Sequence, residues 1–90
     1  MYVYNAKGTS RWSKPKGYDS WIDYWKDHKG TVKNCCAIDC SNKDVVGAHV
    51  KKAYGSDNCT YIVPLCNSCN QRGDIFYVPD NALLPVPSNL

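Results

Sequence analysis

Aliphatic side chains are scarce in this chain. Leu, Ile, Val and Phe make up only about 19% of its 90 residues, close to the level at which a chain struggles to bury enough apolar surface. No window approaches the roughly 18 apolar residues of a membrane span, so a soluble protein is expected. The opening segment Met1-Tyr2-Val3-Tyr4-Asn5-Ala6-Lys7 has no apolar run of the secretory kind, so a cytoplasmic protein with reduced thiols is expected. Histidine is also rare, with two in the chain, and there are no internal repeats. Ninety residues make one small domain with no room for a second core.

Six Cys, three Trp and seven Tyr are what the chain has instead. Domains of this size usually add disulfides or a metal to a thin core, and the absence of a secretory segment favours zinc over a disulfide framework. The formal charge of +3 would fall to about +1 on loading a four-thiolate zinc site, so any basic patch is local. Lys7, Arg11, Lys14 and Lys16 come before the first acid; they suit phosphate or a solvated arm.

Residues 1–17 show neither helical nor alternating periodicity and read as an irregular basic and aromatic arm, with Tyr2, Tyr4 and Trp12 able to lie against the domain. Residues 18–90 read as a single zinc-stapled domain. A short helix is expected from Asp19 or Ser20 to Gly30, with an acid at Asp23, basic residues in the last turn and a glycine stop. Its stripe of Trp21, Ile22, Tyr24 and Trp25 suits packing over the metal knuckle. Val45 to Val50 and Tyr61 to Leu65 read as two strands of an antiparallel hairpin with a long loop, and a helix of about two turns is expected from Cys69. Ile75 to Val78 reads as extended, and Pro79, Pro85 and Pro87 make the tail neither helix nor central strand.

The cysteines carry the sharpest signal. Cys36-x3-Cys40 and Cys66-x2-Cys69 resemble the two halves of a four-thiolate zinc site, with Cys35 as the alternative first ligand. Cys36 is preferred because it stands one helical turn before Cys40, and Cys59 is left over. Such a closed site supplies folding energy and no chemistry.

Catalysis, if present, must lie beside the knuckle. His49 falls between the two Cys pairs, and Asn70 and Asp74 would share one helical face at i, i+4. Two oxygen ligands for a divalent ion opposite a neutral imidazole could hydrolyse a phosphodiester. The motifs Cys36-Ala37-Ile38-Asp39-Cys40, Gly47-Ala48-His49-Val50 and Tyr61-Ile62-Val63-Pro64-Leu65-Cys66-Asn67-Ser68-Cys69-Asn70 resemble the HNH, or ββα-metal, endonucleases in their zinc-knuckle form. Small bacterial proteins with a similar strand and knuckle look alike over nearly the whole length.

The resemblance implies an α+β fold: a small ββα-metal-like domain with a four-cysteine zinc knuckle, an N-terminal helix and an irregular N-terminal arm. It also implies His49 as general base, with Asn70 and Asp74 holding Mg²⁺ or another divalent ion. The chain departs from the family at Ala48, where members that cut commonly carry Asp or His. It departs again at Lys51 and Lys52, which follow His49 where a Pro is usual, and near Tyr61, where the bracing Asn would fall and Asn58 is the nearest substitute.

Two functions follow as expectations. One is a metal-dependent endonuclease acting on DNA or RNA, with Lys51, Lys52 and Arg72 on the backbone. The other is a non-catalytic zinc module that binds nucleic acid or a protein partner. Neither calls for a small-molecule cofactor or a membrane.

Overall fold

The computed structural model describes residues 1–8 and 13–87; Arg11 and Trp12 of the expected arm lie outside the described residues. Five strands form one antiparallel sheet: β1 (Tyr2–Asn5), β2 (Val46–Lys52), β3 (Thr60–Leu65), β4 (Phe76–Tyr77) and β5 (Leu84–Pro85), in the order β4-β1-β2-β3-β5. Two helices accompany it, α1 (Trp21–Lys29) and the single turn α2 (Asn67–Asn70). No helix among the described residues is long and apolar enough to cross a membrane.

The expected antiparallel hairpin of β2 and β3 forms, with Val46 opposite Leu65 and His49 opposite Ile62. Val63, Pro64 and Leu65 are fully buried. Pro64 sits beyond the stretch where β5 pairs with β3, at Tyr61 and Ile62, so on that side its missing N–H is not needed.

The first correction concerns the N-terminus. Tyr2–Asn5, expected to be part of an irregular arm, is an inner strand, paired with β2 through Val3 and Lys52 and with β4 through Tyr2 and Tyr77. Alternation explains why: Val3 is fully buried while Tyr2 and Tyr4 face out, so one aliphatic residue per turn of the pleat suffices to hold the strand.

Helix α1 starts where its cap dictates. Ser20 Oγ accepts the Asp23 N–H at 3.2 Å, and Gly30 ends the helix at φ 101°, a conformation glycine adopts without steric cost. The helix packs on β2, β3 and β5. Its N-terminal end rests on Gly47: a Cβ there would stand 2.6 Å from Ile22 N and from Trp21 C. Only hydrogen fits between sheet and helix at that point. Trp25 is buried and its indole Nε1–H donates to the Ala82 carbonyl at 2.8 Å, which gives a large apolar ring a partner for its one polar atom.

Direct cross-strand partners share a face of the sheet. Register therefore puts Tyr2, Tyr4, Gly47, His49, Lys51 and Ile62 on the face that α1 partly covers. Val3, Asn5, Ala48, Val50, Val63 and Leu65 lie on the other. Four of these last six are fully buried, and each apolar side chain so buried contributes about 1.5–3 kcal/mol.

Candidate metal centre and its surroundings

Cys35, Cys40, Cys66 and Cys69 bring their sulfur atoms within 4.8 Å of one another. The Sγ atoms of Cys40 and Cys66 are 3.8 Å apart, and a tetrahedral ion with metal–sulfur bonds of about 2.3 Å requires edges of about 3.8 Å. The donors and their spacing therefore fit one metal ion.

Cys36 is not in this set, which corrects the preference drawn from spacing. The segment is a turn rather than a helix: the Cys40 N–H donates to Ala37 O at 3.1 Å, and Asp39 takes a left-handed φ of 64°, which Asp tolerates better than most residues. Helical spacing does not apply, and Cys35 points inward at 3% exposure. Cys36 instead donates its backbone N–H to Pro64 O at 2.9 Å and stays half-buried, its thiol pushed up to about 11, mainly by burial.

The loop is braced from several sides. Asn34 Nδ2 donates to the carbonyls of Cys35 and Cys40, at 3.3 and 2.9 Å, and the Ile38 N–H reaches Tyr77 O at 2.9 Å. Burial raises the thiols of Cys35 and Cys69, whereas the Cys69 backbone N–H lowers that of Cys66. A metal would displace protons on binding here. Cys59 is exposed and outside the cluster.

Helix α2 is shorter than expected and ends at Asn70, where a two-turn helix was to be under way. The Asn70 N–H donates to Cys66 O at 2.8 Å, then Gln71 and Arg72 donate to carbonyls only three residues back, at 3.2 Å each, which tightens and closes the turn. Asn5 completes the closure: its Nδ2 donates to the carbonyls of Cys69 and Arg72 at 2.9 and 3.0 Å. Sequence reasoning missed both braces; Asn34 beside the first ligand was open to an Asx-type reading, while nothing local marks Asn5.

The three expected catalytic residues are divided. Asn70 and Asp74 line one cavity of about 660 Å³ with Tyr4, Asn5, Lys7 and Arg72. Asp74 is engaged by Arg72, through Nε at 2.9 Å and Nη2 at 2.6 Å, and Arg72 holds its carboxyl below the usual range. His49 does not line that cavity. It lies on the α1 side of β2, its ring edge-on to Trp21 with centroids 4.9 Å apart. Burial lowers its pKa to about 4, so it is neutral near pH 7. Ala48, where a further ligand would stand, is buried.

The cations expected on a phosphate backbone are partly occupied. Lys52 pairs with Asp57 at 3.1 Å and lies over the Tyr61 ring, and Arg72 lies over the Phe76 ring. Comparison with known proteins adds no assignment: no family model, no curated protein and no solved structure matches the chain.

Proposed function

We propose that the chain is a zinc-stapled module that binds nucleic acid without cutting it, on a ββα-metal, HNH-like scaffold whose catalytic set has come apart. The observation that carries this reading is the separation of His49, held against Trp21, from the cavity lined by Asn70 and Asp74. A general base must come within hydrogen-bond reach of the water it activates. Four thiolates at tetrahedral spacing suit zinc and leave no open position for substrate. Zinc loading leaves a net charge of only about +1, so local cations such as Lys7 and Lys51, rather than the charge of the whole chain, support an anionic partner.

The test is binding of zinc-loaded protein to labelled DNA and RNA across a salt series, with cleavage assayed in Mg²⁺, Mn²⁺ and Ni²⁺. Binding that weakens as salt rises, without cleavage, is the expected result. Binding that ignores salt overturns the phosphate-contact reading.

A metal-dependent HNH-type nuclease is the second reading, favoured by the shared cavity of Asn70 and Asp74 and the neutral His49. In it, His49 deprotonates water and the two oxygen ligands hold Mg²⁺ or another divalent ion. Divalent-ion-dependent cleavage that disappears in His49→Ala would establish it over the module.

A further inference from the structure

The face of the sheet that carries His49 is only half covered. Helix α1 packs on β2, β3 and β5, and the β4–β1 half beyond it is occupied by tyrosines. Tyr2 and Tyr77 are direct cross-strand partners with ring centroids 5.3 Å apart, and Tyr54, just past β2, stands 6.1 Å from Tyr2. The rings meet at 76° and 75°, edge to face, so each pair covers a face of one ring with the edge of the other and leaves the remaining faces open. They remain 52% (Tyr2), 68% (Tyr54) and 36% (Tyr77) exposed. Tyr4 continues the row and stays exposed, opposite Lys51 on β2.

A water-facing sheet surface normally carries polar residues, whereas this one presents aromatic faces. The strand positions that share this face include Lys51 and no carboxylate. Aromatic faces beside a cation, without acids among them, match unpaired bases joined by phosphates. Every base has a π-face that stacks on an aromatic ring, and sheet-borne aromatics are a recurrent way to hold splayed-out bases.

We propose that Tyr2, Tyr54 and Tyr77 form a stacking platform for single-stranded nucleic acid, with Lys51 beside Tyr4 contacting the phosphate backbone. This rests on the nucleic-acid reading above and specifies its strand state and contact surface. A duplex, whose bases are stacked on one another, cannot use the platform.

The experiment is fluorescence anisotropy of a fluorescein-labelled oligothymidylate and of a matched duplex with the full zinc-loaded chain. Tyr54→Ser, in an exposed turn, should weaken single-strand binding about fivefold or more, and Tyr2→Thr with Tyr54→Ser about tenfold or more. Tyr2→Phe and Tyr54→Phe should retain binding, because the ring and not the hydroxyl stacks, and duplex binding should change little in any of them. Thermal unfolding of each variant accompanies the titrations, and Tyr54→Ser alone decides if the double variant does not fold.

Equal, salt-dependent binding of both forms with no effect of Tyr54→Ser overturns the platform and leaves the nucleic-acid reading standing. Absence of binding to either form at low salt overturns both. Binding of oligothymidylate that is lost in the Phe variants overturns stacking in favour of hydroxyl contacts.

Discussion

The side-chain amide of Asn5 donates to the Cys69 carbonyl at 2.9 Å, across 64 positions of the chain. Its second proton goes to Arg72 O at 3.0 Å. The inner strand β1 is thereby fastened to the turn that carries the last two candidate metal ligands. Asn5→Ala removes one donor from the Cys69 carbonyl, which keeps the Arg72 N–H, and one from the Arg72 carbonyl. Each such loss costs about 1 kcal/mol, so urea unfolding should show a loss of about 2 kcal/mol, together with faster metal transfer to a chelator. Unchanged stability would mean that water replaces the amide without cost.

Cys35→Ser should abolish the tetrahedral thiolate spectrum of Co²⁺-loaded protein, and Cys36→Ser should preserve it. A structural zinc site supplies folding energy outright, so the first variant should also lose its cooperative thermal transition. The reverse result would restore Cys36 as the ligand.

Gly47→Ala places a methyl group 2.6 Å from the backbone of α1. Backbone cannot swing aside as a long side chain can, so the helix must lift from the sheet. Overpacking of this kind costs about 1–3 kcal/mol, and the upper part of that range is expected in equilibrium unfolding. Trp fluorescence should shift at the same time, because Trp21 borders the glycine.

His49 makes stability depend on pH. Its pKa is lowered to about 4 in the folded chain by burial, against about 6.5 when unfolded. Between those values the unfolded state binds the proton and the folded state does not, so stability falls as pH drops from about 6.5 towards 4. Melting temperatures of zinc-saturated protein across that window should decline less steeply for His49→Gln than for the parent. Identical slopes would show that another group, or loss of metal, governs the decline.

The elements legible in the sequence are those whose signals are local. Ser20, Asp23 and Gly30 fixed the ends of α1 to within a residue or two, because a cap acts on its own turn. Alternating and β-branched residues marked β2 and β3, and the Cys pairs pointed to a metal cluster. What stayed hidden depends on distant partners or on turn geometry. Strand β1 shows one aliphatic residue between two tyrosines, and its neighbours β2 and β4 lie more than forty positions away. Cys35 rather than Cys36 joins the cluster where the chain forms a turn with a left-handed Asp39 instead of a helix, and no spacing rule anticipates that turn. The division of His49 from Asn70 and Asp74 goes with the docking of His49 against Trp21 of α1 and with the early end of α2, neither of which the spacing of the three residues announces.

The position of β1 in the sheet order changes what shortening the chain at its front would do. Removing residues 1–5 would not trim a loose arm. It would part the sheet between β2 and β4 and leave each with an open row of unpaired N–H and C=O groups. Such edges are templates for pairing with another molecule, so the shortened chain should self-associate rather than merely lose stability.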